Sequence, residues 1–139
     1  MNAKDYYGTT ALIYAAWWQN NAELIGVLLK SGADFKVKLT IRREDRGRTT
    51  LLAAAWKGHS KSLKALLDGG ADVNERDSEG STSLMYALQR GYIDTVKSLL
   101  ERCADVNAKN SRNETALAIS SKQNHSDIAE ILLKAGAND

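Results

Sequence analysis

The sequence predicts an all-α repeat protein, and two observations lead to this fold class. Segments of similar sequence recur at a fixed spacing along the 139 residues, and a period of roughly 20 to 50 residues is typical of stacked repeats. Within each segment, apolar residues recur at the three- and four-residue spacing of amphipathic helices. Hydrophobic residues at 43% and charged residues at 26% are typical of a globular chain.

The repeating unit is visible in three segments that align without gaps at intervals of 33 residues. They are GRTTLLAAAWKGH from Gly47, GSTSLMYALQRGY from Gly80 and NETALAISSKQNH from Asn113. A fourth copy, GTTALIYAAWWQNN, begins at Gly8, which lies 39 residues before Gly47. Each copy continues into an apolar pair and a turn: LLKSGADF, LLDGGADV, LLERCADV and LLKAGAND. The chain therefore contains four copies of one unit.

Each copy has the signals of two helices. A threonine opens the first helix, where its hydroxyl can accept a hydrogen bond from an unpaired backbone N–H. In the second helix the apolar positions follow helical spacing, as in Val96, Leu99 and Leu100. A glycine then fits the left-handed residue that ends a helix. The threonines are Thr10, Thr49, Thr82 and Thr115, and the glycines are Gly32, Gly70 and Gly136.

This pattern resembles the ankyrin repeat, whose family sequence is D-x-x-G-x-T-P-L-H-x-A-A-x-x-G-H followed by I-V-x-x-L-L-x-x-G-A-D-V-N-A. The resemblance covers essentially the whole chain and implies a solenoid of paired antiparallel helices joined by β-hairpin loops. It implies one domain over residues 1–139, with repeats at about 5–38, 44–76, 77–109 and 110–139 and an enlarged hairpin at 35–48.

The chain departs from the family sequence at several positions. Cys103 stands for a helix-ending glycine, and we expect it to be a mildly strained structural residue and not a nucleophile. Asn113 stands for a hairpin glycine, which is tolerable because asparagine visits left-handed geometry. The family's proline is replaced by Ala11, Thr50, Ser83 and Ala116, and its first histidine by Ile13, Leu52, Met85 and Ala118.

The resemblance implies a non-catalytic protein–protein interaction module that binds a folded partner through its concave face and hairpin tips, for example as an enzyme inhibitor or immunity-like protein. Trp17 and Trp56 occupy the same position in consecutive repeats, so we expect them to be neighbours, with Tyr6 and Tyr7 above them. Tryptophan, tyrosine and arginine dominate binding hot spots. The alternative is that the tryptophans cap or pack the N-terminal end. The predicted partner-binding residues are Tyr6, Tyr7, Trp17, Trp18, Arg46, Arg48, Trp56, Lys57, Gln89 and Arg90.

The enlarged hairpin, FKVKLTIRREDRGR, is strongly basic. Val37, Leu39 and Ile41 alternate with polar residues, which predicts a two-stranded β-finger with one solvent-exposed face. Its six basic residues against Glu44 and Asp45 give a local charge of +4 in a chain of net +2. The finger could attract an acidic protein, guard an exposed strand edge or, less favoured, contact nucleic acid. The basic residues are Lys36, Lys38, Arg42, Arg43, Arg46 and Arg48.

The two ends of the array differ in polarity. Repeat arrays need polar outer faces at their ends, and the last copy supplies Ser120 and Ser121 in place of an alanine pair. The first copy is apolar, which is consistent either with upstream sequence in a longer protein or with an aromatic cap or self-association surface, such as a homodimer interface. The candidates for an exposed apolar end face are Ile13, Tyr14, Trp17, Trp18, Ile25 and Val27.

The composition argues against catalysis and cofactors. His59 and His125 occupy the family's structural turn position and lie two repeats apart. One cysteine and two histidines leave little from which to build a metal site, and the sequence contains neither a glycine-rich phosphate loop nor a nucleophile motif. We therefore predict no catalytic, cofactor-binding or metal-ligating residues. We also expect no membrane span and a cytoplasmic location.

Overall fold

The computed structural model describes Ala3, residues 10–39 and residues 46–138. These residues form eight α-helices, arranged as four consecutive pairs, so the all-α repeat fold is confirmed. The helices are α1 (Ala11–Trp18), α2 (Ala22–Lys30), α3 (Thr50–Lys57), α4 (Ser60–Asp68), α5 (Ser83–Arg90), α6 (Ile93–Glu101), α7 (Ala116–Lys122) and α8 (Ser126–Lys134).

The predicted threonine caps open the first helix of every pair. Each hydroxyl oxygen accepts a hydrogen bond from the backbone N–H three residues later, at 3.2–3.4 Å. Each threonine backbone is extended, which is the geometry that lets the side chain fold back onto the helix. The caps therefore fix the point at which the chain leaves each hairpin and enters the helix.

The pairs stack into two layers. The odd-numbered helices pack on one another in the order α1, α3, α5, α7, and α2, α4 and α6 form the second layer. Leu12, Leu51 and Leu84 lie at the same position in consecutive repeats and are fully buried. One continuous core therefore runs along the stack, as expected when single repeats cannot bury their own apolar face.

The hairpins are short and hydrogen-bond to their neighbours. Within the described residues, strand pairing is limited to single antiparallel bridges, Lys38 to Thr49 and Arg76 to Thr82. The Ser78 N–H donates to the Arg46 carbonyl at 2.8 Å, and the Ser111 N–H donates to the Glu79 carbonyl at the same distance. Consecutive hairpins are thus linked edge to edge.

Only the base of the predicted basic finger is described, because residues 40–45 lie outside the described ranges. Its predicted alternation is confirmed there: Lys36 and Lys38 are exposed, Val37 is half-buried and Leu39 is buried. The Leu39 N–H donates to the Arg48 carbonyl at 2.8 Å. Arg42, Arg43 and Ile41 lie outside the described residues, so the length of the finger stays a prediction.

The apolar N-terminal end is smaller than the sequence predicts. Ile13 and Ile25 were candidates for this face, but both are buried, because α1 and α2 turn these side chains into the core. Tyr14, Trp18 and Val27 are exposed. The end face is therefore formed by a narrower set of apolar residues than the pattern suggested.

The turn between α1 and α2 is one residue longer than the turn between α3 and α4. It spans Gln19 to Asn21, whereas Gly58 and His59 alone separate α3 from α4. The Asn20 carboxamide oxygen accepts hydrogen bonds from the Lys61 and Ser62 N–H groups at 2.9 and 3.2 Å. Asn20 thus provides hydrogen-bond acceptors for backbone N–H groups in the first turn of α4. The cap residue of α4 itself, His59, makes no side-chain cap hydrogen bond.

Replacing Asn20 tests this inter-repeat cap. Asn20→Ala removes the acceptor of two N–H groups, so we expect the free energy of unfolding to fall by about 1 kcal/mol, as for other lost N-caps. Urea denaturation followed by circular dichroism would measure this. Asn20→Asp keeps the acceptor and should remain close to wild type; an equal loss in both variants would contradict the cap.

Cys103 adopts a left-handed backbone with φ of +60°, at the position where Gly32, Gly70 and Gly136 also have positive φ. A side chain costs about 1–2 kcal/mol in this geometry, whereas glycine adds about 0.4–1 kcal/mol of unfolded-state entropy. We expect Cys103→Gly to raise the free energy of unfolding by about 0.5–1 kcal/mol in the same assay. Cys103→Ala keeps the strain and should give no gain; equal stability of the two variants would refute this account.

Candidate protein-binding surface

The C-terminal ends of the odd-numbered helices carry most of the predicted binding residues. This surface, called here the inner face, is formed by the last two residues of α1, α3 and α5 with the end of α7. Its residues are Trp17, Trp18, Trp56, Lys57, Gln89, Arg90, Lys122 and Gln123.

The tryptophan pair of α1 holds a cation from the next repeat. The Lys57 ammonium lies 4.9 Å from the centre of the Trp17 ring and 5.4 Å from that of Trp18. Both distances are within the range of cation–π attraction. Trp17 is half-buried and Trp18 is 65% exposed, so this cluster presents aromatic surface and positive charge together.

Trp56 is surrounded by two arginines and a tyrosine. The Arg48 and Arg90 guanidinium groups each lie 4.7 Å from the centre of its ring. The Tyr86 ring meets it edge to face at a centroid distance of 5.4 Å, which is a favourable aromatic geometry. Several independent contacts therefore fix the orientation of this half-buried indole.

A buried polar network supports the Trp56 site from below. The Tyr86 hydroxyl donates to the Asp77 carboxylate, and Arg48 Nε donates to the Tyr86 oxygen at 3.4 Å. The other Asp77 oxygen accepts from the Glu79 and Ser81 N–H groups at 2.9 Å, which orders the hairpin turn. Burial, followed by the hydrogen bond to Asp77, raises the pKa of Tyr86 to about 12.

A groove of about 470 Å³ opens beside Trp56. Glu114 lies within it and accepts hydrogen bonds from Asn110 and Lys122; these bonds, in that order, hold the pKa of its carboxyl below the usual value. Glu114 is therefore ionised and partnered at neutral pH. The groove is lined by Trp56, Gln89, Arg90, Arg112, Glu114, Ile119, Lys122 and Gln123.

A row of alternating charges follows the hairpin tips. Arg46 and Arg112 flank Glu79, at 3.0 and 3.7 Å from its carboxylate. These three residues are 33 positions apart and so occupy one site in consecutive repeats. Arg46 and Glu79 are half-buried and Arg112 is exposed, so these solvent-screened pairs add little stability, and Arg112 lies at the edge of the groove.

The structure separates the predicted binding residues into two groups. Trp17 and Trp18 cluster with Lys57, and Trp56 lines the groove with Gln89 and Arg90. Trp56 makes its ring contacts with Arg48, Arg90 and Tyr86, and the expected Trp17–Trp56 neighbourhood stays a prediction. Tyr6 and Tyr7 lie outside the described residues, and their placement stays a prediction.

Arg48 has a different role from the one predicted. It is only 7% exposed, because its guanidinium packs on the Trp56 and Tyr86 rings. A partner cannot reach it without displacing these rings. Arg48 therefore positions Trp56, and the exposed cations near the groove belong to other residues.

The list of predicted binding residues did not include the groove residues contributed by the last repeat. Arg112, Glu114 and Ile119 line the same groove as Trp56, although they lie more than one repeat away. Two signals were available: Arg112 shares the repeat position of Arg46, and Ile119 shares that of Tyr86. Equivalent positions of adjacent repeats lie side by side in a solenoid.

The histidines make structural contacts. Nδ1 of His59 lies 2.8 Å from the Ala16 carbonyl oxygen and links α4 to the end of α1. His125 packs so closely under Gly91 that a Cβ there would lie 3.1 Å from its Nε2. Over the described ranges, no three His, Cys, Asp or Glu side chains group as metal ligands, and every helix is too short or too polar to span a membrane.

Comparison with protein families gives two matches. Residues 51–139 match the family described as ankyrin repeats in three copies, and residues 7–38 match the single ankyrin repeat. Together the matches cover all four repeats of the sequence. The comparison with curated proteins gives no match.

The hydroxyl of Tyr86 provides a pH-dependent test of the network. Because its folded pKa of about 12 exceeds the ordinary value of about 10, its contribution to stability is complete below pH 10 and is lost as the pH rises through 12. We expect Tyr86→Phe to lower the free energy of unfolding by about 2 kcal/mol at pH 7, as for a hydrogen bond to a charged group. Urea titrations from neutral to alkaline pH should show this difference shrinking above pH 10.

Tyr92→Phe is the matched control. Among the described residues its hydroxyl contacts the exposed Arg90 at 3.5 Å, so the loss of unfolding free energy should stay within about 0.5 kcal/mol. A difference between wild type and Tyr86→Phe that stays constant above pH 10 would show that Tyr86 does not titrate in this network.

Proposed function

Because the chain belongs to the ankyrin repeat family, whose members are generally protein–protein interaction modules and typically non-catalytic, we propose that it binds a folded protein partner through its inner face. The inner face combines three exposed or half-exposed tryptophans with Lys57, Arg90 and Lys122. Such a combination of aromatic and cationic side chains is characteristic of binding hot spots.

The orientation of Trp56 is the observation that carries this proposal. Its ring is held by Arg48, Arg90 and Tyr86, so little side-chain freedom remains to be lost when a partner covers it. Preorganised anchors bind well because binding does not have to order them. One side of Trp56 packs against the core, and the other side remains accessible beside the open groove.

The charges favour an acidic partner surface. Arg90 and Arg112 are exposed at the groove, and arginine can donate two parallel hydrogen bonds to one carboxylate. Lys57 adds a third cation between this groove and the first repeat. Glu114 is neutralised by Lys122, so the free charge presented to a partner is positive. Covering of an enzyme's active site by this face, as in an inhibitor or immunity-like protein, is one specific form of this proposal.

Capture of a partner from the lysate of source cells tests the proposal. We expect immobilised wild-type protein to retain a partner that the double variant Trp17→Ala/Trp56→Ala loses, because both aromatic sites are removed. Quantitative mass spectrometry of the bound fraction measures this, after circular dichroism has shown that both baits are folded. Equal capture by the two baits would contradict an inner-face site.

A charge-reversal pair separates binding from folding. Lys57→Glu/Arg90→Glu changes the inner face, and Lys64→Glu/Lys97→Glu makes the same change on exposed residues of α4 and α6. We expect the first pair to weaken capture at least tenfold and the second to leave it unchanged. Added salt should also reduce the electrostatic contribution to partner binding, and with it the difference between wild type and the first pair. Equal effects of the two pairs would indicate a response to net charge alone.

A further inference from the structure

The side of the first repeat that faces away from the second repeat forms an apolar groove of about 520 Å³. Tyr14 is 52% exposed, Trp18 65% and Val27 55%. Contiguous exposed apolar surface of this kind usually marks an interaction site. This N-terminal face comprises Val27 and the groove residues Ala11, Tyr14, Ala15, Trp18, Gln19, Leu24 and Leu28.

The later repeats show what covers a face of this type. Tyr86 and Ile119 occupy the repeat position of Tyr14, and both are buried. Leu66, Leu99 and Leu132 occupy the position of Leu28 and are fully buried. For Tyr86 the cover comes from the preceding repeat, because its ring meets Trp56 of α3 and the Arg48 guanidinium. The N-terminal face is therefore shaped to receive another helix pair of the same kind.

The opposite end of the array does not match this face. The recess there is lined by Ser120, Ser121, Asn124, His125, Ser126 and Ala129, which are mostly polar. Head-to-tail association would bury these polar groups against the apolar groove, at a cost in unpaired hydrogen-bonding groups. The surface in this chain that matches the N-terminal face chemically is a second N-terminal face, and such self-complementary contacts close across a twofold axis.

The exposed side of α2 has a charge pattern that fits a twofold arrangement. Glu23, Val27 and Lys30 are exposed and lie four and three residues apart, so they share one side of the helix. When two copies of α2 run antiparallel, Glu23 of each lies opposite Lys30 of the other, with Val27 at the centre. Gly26 lies on the same side and has no side chain, and the space beside it is open, because a Cβ there would meet nothing within 4 Å.

We propose that the N-terminal face binds a second copy of this chain, with the two α2 helices antiparallel across a twofold axis. The proposal does not rest on partner binding by the inner face, which lies along all four repeats. A dimer of this form presents two inner faces, so a multivalent partner would be held more tightly than by one chain alone.

The test is the mass of the protein in solution. Light scattering or sedimentation equilibrium should show a concentration-dependent rise from 15.2 kDa to twice that value and no further. Val27→Lys should weaken dimerisation at least tenfold. Leu133→Lys is the matched control, because Leu133 is also 55% exposed but lies on α8, and it should dimerise like wild type.

The charged pair tests the antiparallel geometry. Glu23→Lys and Lys30→Glu should each weaken dimerisation, because each places like charges opposite one another, and the double variant should restore it. If the double variant Glu23→Lys/Lys30→Glu does not regain wild-type dimerisation, the antiparallel arrangement is wrong. A monomer at every concentration, an open-ended rise in mass, or a larger effect of Leu133→Lys than of Val27→Lys would overturn the proposal. Partner capture by Val27→Lys remains a separate readout of the inner face.

Discussion

The packing of one helix pair on the next is the interaction on which the rest of this structure depends. Each pair is too short to enclose a core, and Leu51, Leu84 and their equivalents are buried only because a neighbouring pair covers them. The same stacking sets polar contacts between repeats. The Asn74 carboxamide accepts from the Asp105 N–H at 2.7 Å, and Asn107 accepts from the Asn138 N–H at 2.8 Å. The same contact therefore recurs from one repeat to the next.

This rule explains how the aromatic sites form. The tryptophan of one repeat receives a cation from the next: Lys57 lies over Trp17 and Trp18, and Arg90 lies over Trp56. The cation follows the tryptophan by about one repeat in both cases. A cation held over a ring is both attracted to it and kept available at the surface. The inner face is thus a repeated arrangement with different residues in each copy.

The sequence predicted the features that depend on local geometry or on the repeat period. The threonine caps and the alternation from Lys36 to Leu39 depend only on a few neighbouring residues. The burial of Arg48 could not be predicted in the same way. It lies in a basic run that is typical of a solvent-exposed loop, but its long side chain reaches the Tyr86 ring, which is 38 residues away.

The burial of Ile13 and Ile25 shows a second limit. Amphipathic spacing identifies the apolar positions of α1 and α2, but both faces of a helix in a stack can be apolar. One face contacts the next repeat and the other contacts the preceding one. The sequence alone did not separate these faces, because residues at the position of Tyr14 are buried in the later copies and exposed only here. The neighbour that is present on one side determines which apolar residues become core.

The two adjacent tryptophans lie on different faces of α1. Neighbouring residues on a helix point about 100° apart, so Trp17 and Trp18 cannot both lie in one narrow apolar stripe along α1. Trp17 lies on the inner face, whereas Trp18 also lines the N-terminal groove. Lys57 contacts both rings. The two adjacent rings therefore belong to different surfaces, and the Lys57 ammonium lies where the inner face meets the N-terminal face.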